Sequence, residues 1–197
     1  GIVTPLVVTD PATAELTKYA ANAFLATKLS FINSIAAICE EVGADIGDVV
    51  LGLGHDKRIG AEFLRPGPGW GGSCFPKDTR ALQAIAEDAG YDFTLLRETV
   101  AVNDAQRHRV VAKVQRLSPV PLDQAKVAVW GLTFKAGTDD LRESPALAVI
   151  EELVAAGADV AAHDPTVEPG VPLPGIADDA GVTIHNDPLD AVDGAHA

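Results

Sequence analysis

Ala125-Lys126-Val127-Ala128-Val129-Trp130-Gly131-Leu132-Thr133-Phe134-Lys135 opens the stretch that decides the fold. An apolar-rich run ends at Gly131, where the chain turns into a polar loop. Thr138-Asp139-Asp140-Leu141-Arg142-Glu143-Ser144-Pro145 follows, and Ser144 with Pro145 makes a good helix start. Helical spacing predicts a helix over 145–156 and a second strand over 158–163, with Thr183-Ile184-His185 as a candidate third strand. Strand, helix and strand at this spacing predict a parallel βαβ unit. The architecture is Rossmann-like, yet the G-x-G-x-x-G fingerprint is missing, so this half-fold is a poor site for a dinucleotide. Lys135 and Arg142 are placed to hold a phosphate or sugar; simple surface solvation is the equal alternative.

Upstream of the Pro119 and Pro121 joint the pattern is entirely helical. Asp10-Pro11 reads as an N-cap with Pro in the first turn, and no Gly or Pro interrupts 12–42. Leu16, Tyr19, Ala20, Phe24, Leu25, Leu29, Ile32, Ile35, Ala36, Ile38 and Cys39 recur at helical spacing over a wide arc. One long helix, mostly buried, is expected, with Gly43 as its stop. Further helices are expected over 46–53, 77–89 and 95–117. The expected fold is α/β: an all-helical domain over 1–118, then an incomplete Rossmann-like domain over 119–197. Residues 1–9 include a short apolar run (Ile2-Val3 and Leu6-Val7-Val8); the initial Gly1 and the absence of any Met read as a cut or a processing product. Residues 190–197 lack an evident helix stop or strand partner, so that end also reads as truncated.

Composition narrows the function. With 28 acidic residues against 15 Lys plus Arg, the net charge of −13 disfavours nucleic acid and anionic lipid as partners. No apolar run approaches the roughly 20 residues a membrane span needs. Two cysteines, Cys39 and Cys74, fit a reducing cytoplasm better than a disulfide scaffold. His55, His108, His163, His185 and His196 have no metal-ligand spacing, so no metal is expected.

The chemistry concentrates in residues 54–76, which hold six Gly, three Pro and two Arg and no periodicity. A loop of this length inside a compact domain is usually functional. It ends in Gly67-Pro68-Gly69-Trp70-Gly71-Gly72-Ser73-Cys74-Phe75-Pro76-Lys77-Asp78. Pro76 suits a first helical turn, which puts Cys74 at a helix start where the dipole and a neighbouring Lys favour thiolate. The glycines let a ligand approach the backbone. Asp78, four residues on, is placed to accept a proton from water. Lys18 and Asn22 share a face of the long helix, where both can donate to a developing oxyanion. On spacing alone, an exposed Lys beside a solvated Asn competes with that reading. Cys39, mid-helix among apolar residues, reads as core.

These residues resemble the UDP-glucose/GDP-mannose dehydrogenase family. Gly71-Gly72-Ser73-Cys74-Phe75-Pro76-Lys77-Asp78 is similar to its catalytic-cysteine motif, and Glu15-Leu16-Thr17-Lys18-Tyr19-Ala20-Ala21-Asn22-Ala23-Phe24-Leu25-Ala26 to its central-helix motif. Gly131 to Lys135 and Thr138 to Pro145, closed by Asp164-Pro165, resemble its UDP-binding motif. The resemblance runs over about 10–165.

It implies oxidation of a nucleotide sugar at C6 with two NAD per turnover, through a thiohemiacetal and then a thioester on Cys74. It also implies oxyanion stabilisation by Lys18 and Asn22, and proton transfer to or from water by Asp78. Arg58 resembles the arginine that reaches a neighbouring subunit's substrate. Phe63, Leu64 and Gly71 resemble sugar contacts, Phe134 and Lys135 nucleotide contacts, and Arg142 a cofactor contact. A homodimer through the central helices is implied, with NAD held mainly by a domain that this sequence lacks. Ser73-Cys74-Phe75-Pro76-Lys77 resembles the UDP-glucose members most, and Ser73 argues against the N-acetyl-hexosamine ones; GDP-mannose or another UDP-sugar remains the alternative, as does a non-catalytic dimerisation and UDP-binding module.

Overall fold

The computed structural model describes residues 5–197. Ile2 and Val3 of the expected N-terminal run lie outside them, while Leu6, Val7 and Val8 are exposed and belong to no regular element. Four helices come first: α1 (Pro11–Val42), α2 (Ile46–His55), α3 (Phe75–Asp88) and α4 (Thr94–Leu117). A single 3-10 turn, Leu122–Gln124, leads into β1 (Lys126–Trp130), α5 (Pro145–Ala155), β2 (Asp159–His163), β3 (Val182–Ile184) and α6 (Pro188–Val192). The fold is α/β, as expected.

α1 starts where Asp10 accepts a hydrogen bond from the Thr13 amide (2.9 Å), and stops where Gly43 takes a φ of 73°. It packs on α3 and α4 through a small cluster of Ala23, Leu82 and Leu96. The parallel sheet has the order β1-β2-β3, with Lys126 opposite Asp159 and Trp130 opposite His163. Its core is Val127, Leu132, Ile150, Leu153 and Val160, and α4 contributes Val110, Val111 and Val114 to that same core. One helix thereby ties both layers together.

Two expectations are corrected. α1 is not mostly buried: it buries Ala23, Ala26, Ser30, Ile32, Asn33, Ala37 and Cys39, while Leu16, Phe24, Phe31, Ile38 and Val42 stay exposed. α3 and α4 cover only one side, so the outer part of the apolar arc stays exposed among the described residues. Among the described residues α1 is also the one helix long and apolar enough, by length and composition, to cross a membrane. Its buried Ser30 and Asn33, however, are hydrogen-bonded into the domain, as a core helix requires. The second correction concerns 190–197. α6 and Gly194 (φ 68°) make a stop, and the end of the chain pairs with the free edge of β1. The His196 amide donates to the Lys126 carbonyl, and the Ala128 amide donates to the Ala197 carbonyl, both at 2.8 Å.

Candidate active site

Pro76 fixes the first turn of α3, and Cys74 takes the position just before that helix. The Asp78 amide donates to the Cys74 carbonyl at 2.9 Å, so the thiol sits one turn from the carboxylate. Cys74 is exposed, and its sulfur lies 3.8 Å from Ser73 Oγ. Asp78 is fully buried, at 0 % exposure. Asn22 Nδ2 donates to its Oδ2 at 2.5 Å, Lys18 Nζ lies 3.5 Å from the same oxygen, and Lys77 Nζ binds Oδ1. Burial pushes the Asp78 carboxyl up, but the Lys77 and Asn22 hydrogen bonds and the Lys18 charge outweigh it and hold it below the ordinary carboxylate range. Lys77 is raised, chiefly by its hydrogen bond to Asp78.

The structure therefore brings Lys18, Asn22, Cys74 and Asp78 to one helix start. It adds Lys77 as a direct partner of Asp78 rather than of the thiol. Lys18 is 60 % exposed, so its ammonium stays hydrated and keeps free N–H groups.

Polar side chains on α1 and α4 hold the glycine-rich loop in place, and sequence reasoning missed them. Asn33 Oδ1 accepts from the Gly67 amide (2.8 Å), and Gln106 Nε2 donates to the Gly67 carbonyl (2.8 Å). Asn103 takes Trp70 from both sides, accepting from its amide (2.7 Å) and donating to its carbonyl (3.0 Å). Trp70 Nε1 donates to the buried Ser30 hydroxyl at 2.9 Å. The signal was present: Ser30 and Asn33, and Asn103 and Gln106, are i, i+3 pairs, which share a helix face.

Gly71 and Gly72 have a second use. A Cβ on Gly71 would sit 1.8 Å from the Glu143 carbonyl oxygen, and one on Gly72 would meet the Phe134 ring at 2.6 Å. The Gly72 amide donates to that Glu143 carbonyl at 3.3 Å, and Arg80 pairs with the Glu143 carboxylate at 3.1 Å. The glycines expected to admit a ligand thus admit the second domain. Glu143 holds a φ of 50°, a left-handed conformation that costs a non-glycine residue about 1 kcal/mol or more.

Beside this seam, a cleft of about 460 Å3 lies at the C-terminal ends of β1 and β2, lined by Gly69, Trp130, Gly131, Thr133, Phe134 and Thr138. Such strand ends are where open parallel sheets take ligands. The Lys135 ammonium sits 5.5 Å from the Phe134 ring centroid. Arg142 is clamped by Asp140 at 2.7 and 2.8 Å, which pushes the Asp140 carboxyl down to about 2 and raises Arg142.

The corner after β1 does not fit a dinucleotide. The Leu132 and Thr133 amides, which a phosphate would need, donate to the buried Asp164 carboxylate at 2.8 and 3.2 Å. No hydride-transfer step is therefore assigned to this chain's residues.

The remaining expected residues make no hydrogen bond or ion pair to the thiol cluster among the described residues, although Phe63 reaches the neighbouring Phe75. Arg58 is exposed and paired with Asp56 on its own loop (2.6 Å). Phe63 holds a φ of 61° and stacks edge-on against Phe75 at 6.1 Å, and Leu64 is buried. No group of three metal-ligating side chains occurs among the described residues. His108 pairs with Glu152, His163 with the His185 carbonyl and His196 with the Lys126 amide, so none of the three hydrogen-bonds Cys74.

Two family models match this chain: the central domain of the UDP-glucose/GDP-mannose dehydrogenase family over residues 12–105, and its UDP binding domain over residues 128–197. UDP-glucose 6-dehydrogenase from Pseudomonas aeruginosa is 49% identical over 186 residues, covering 93% of this chain and 41% of the relative. The enzyme of that name from Rhizobium meliloti is 53% identical over 161 residues, covering 82% of this chain and 37% of the relative. The chain thus spans about two fifths of the curated relatives it matches.

Among solved structures, a UDP-glucose dehydrogenase from Pyrobaculum islandicum superposes with a TM-score of 0.86 at 36% identity, covering 98% of this chain and 44% of that one. A UDP-D-ManNAc dehydrogenase from Pyrococcus horikoshii gives 0.78 at 27% identity, covering 95% and 41%. The chain belongs to the UDP-glucose/GDP-mannose dehydrogenase family, of which it carries the central and UDP-binding domains.

Proposed function

We propose that this chain is the catalytic-thiol part of a cytoplasmic UDP-glucose 6-dehydrogenase that makes UDP-glucuronate, with NAD as hydride acceptor held by residues outside these 197. The observation that carries the reading is the exposed Cys74 at the start of α3, one turn from the Lys18–Asn22–Asp78 cluster and against the nucleotide motif. We place the division between the two domains at residues 118–119.

Cys74 Sγ adds to the C6 aldehyde of the sugar. A carbon–sulfur bond forms and the carbonyl electron pair moves to oxygen. Lys18 and Asn22 each keep an N–H not committed to Asp78, and these donate to that oxyanion. The chemistry that NAD supplies when bound is acceptance of a hydride from C6, once before the addition, giving the aldehyde, and once after it by a second NAD, oxidising the thiohemiacetal to the thioester. Water then adds to the acyl carbon, the carbon–sulfur bond breaks and the electron pair returns to sulfur. Asp78, held ionised, keeps the donors aimed and takes the proton that water gives up. Phe134 and Lys135 hold the nucleotide, with Phe63, Leu64 and Gly71 along the sugar, Arg142 toward the cofactor and Arg58 toward a neighbouring subunit. A homodimer covers the exposed Leu16, Phe24, Phe31 and Ile38 face of α1, and that unpartnered apolar stripe supports it.

Calorimetry with UDP tests the nucleotide half of the reading. Binding that Phe134→Ala weakens is expected; no heat with UDP, at a concentration where the chain is folded, contradicts it.

A further inference from the structure

Asn103 lies on α4, outside the cluster described above, yet it is the only side chain among the described residues that hydrogen-bonds both the amide and the carbonyl of one residue in the glycine-rich loop. That residue, Trp70, is four positions before the thiol and 7 % exposed. Its ring stands edge-on to Phe75 at 6.2 Å, and Phe75 is the first residue of α3, directly after Cys74. Ser30 anchors the far side of the indole. A continuous line of contacts therefore runs from Asn103 through Trp70 and Phe75 to the residue that carries the sulfur. Next to Trp70, the Asn103 Oδ1 lies 3.0 Å from where a Gly69 Cβ would stand, and Gly69 holds a φ of 128°, so a larger residue there would strain the backbone and press on the Asn103 amide.

We infer that Asn103 is a positioning residue for Cys74: it fixes the docked loop, and the docked loop fixes the chain just before α3, where the thiol stands exposed. The inference rests on the proposed nucleophilic role of Cys74 only for its biological meaning; the contacts and the test do not depend on it. Asn103 does not itself line the nucleotide cleft, although it adjoins Gly69, which does.

The experiment uses the 197-residue chain with Cys39→Ala, so that one thiol remains. Asn103→Ala removes two hydrogen bonds. It is expected to speed amide exchange in a peptide containing Trp70 by about 30-fold. Once the loop is released, the sulfur is no longer held in one exposed position, so iodoacetamide alkylation of Cys74 is expected to slow by about threefold.

Should Asn103→Ala fail to fold, Asn103→Asp keeps the shape and the acceptor for the Trp70 amide but sets a carboxylate oxygen against the Trp70 carbonyl. The same two changes are expected of it. Unchanged exchange at Trp70 overturns the clamp. Faster exchange with an unchanged Cys74 rate overturns the positioning role and leaves Asn103 as a loop anchor alone. A failure of the dehydrogenase reading itself shows differently, as an absence of UDP binding in the unsubstituted chain.

Discussion

Replacing Asp78 with Asn removes one negative charge from a fully buried site while keeping its shape. The carboxylate accepts from Asn22 at 2.5 Å and from Lys77, with Lys18 at 3.5 Å. An amide cannot satisfy all three donors, because one of its two arms becomes a donor itself. Hydrogen bonds to charged groups contribute about 1.5–3 kcal/mol each, but Lys18 and Lys77 are 60 % and 59 % exposed, and water takes up most of what their charges lose. The expected cost is therefore about 2–3 kcal/mol, or about 5–10 °C in Tm for a chain of this size.

The pH dependence supplies the sign. The folded Asp78 carboxyl is held below its ordinary value, so its contribution is complete above the unfolded pKa of about 3.9. It is lost as pH falls through the lowered folded value. Urea denaturation of both proteins at pH 7 and over the range below about pH 4 reads the difference. The gap should be full at pH 7 and should shrink as the solution acidifies. A gap below about 0.5 kcal/mol at pH 7, or one that persists unchanged in acid, refutes the argument that ionised Asp78 organises the site.

Further outcomes are expected elsewhere. Gly71→Ala places a methyl 1.8 Å from the Glu143 carbonyl and should cost about 1–3 kcal/mol in thermal unfolding, with weakened UDP binding as the seam opens. Asp164→Ala leaves the Leu132 and Thr133 amides without their acceptor and should cost about 3 kcal/mol, read by denaturant midpoint. Phe24→Asp or Phe31→Asp should weaken the proposed dimer by about a hundredfold or more in sedimentation, since each Phe side chain is worth about 3 kcal/mol when buried. A mass that stays dimeric counts against the α1 interface.

Much of this was legible in the residues because the decisive signals are local. Pro76 after Cys74, Ser144 before Pro145 and Asp10 before Pro11 each start a helix in the structure. The i, i+4 relation of Lys18 and Asn22 put the two on one face, but that spacing did not show that Asp78 is what they meet there. What escaped notice is non-local. Gly71 and Gly72 announce that something comes close but not what, and the something is Glu143 and Phe134, more than sixty positions away. The grip of Asn103 on Trp70 depends on how α4 crosses the loop, which no spacing within either segment encodes. The strand partner of His196 and Ala197 was missed because β1 offers its free edge through backbone groups alone, which any residue type can use. The exposure of half of α1 escaped because periodicity marks an apolar face without saying whether this chain or another covers it.

The measurement nearest the centre is uronate formation from UDP-glucose by the longer protein proposed to contain this chain, with Cys74→Ala set against the unsubstituted protein. The account predicts no detectable UDP-glucuronate from the variant while its affinity for UDP is unchanged. Uronate produced at the unsubstituted rate would remove the thiol from the chemistry and contradict the account.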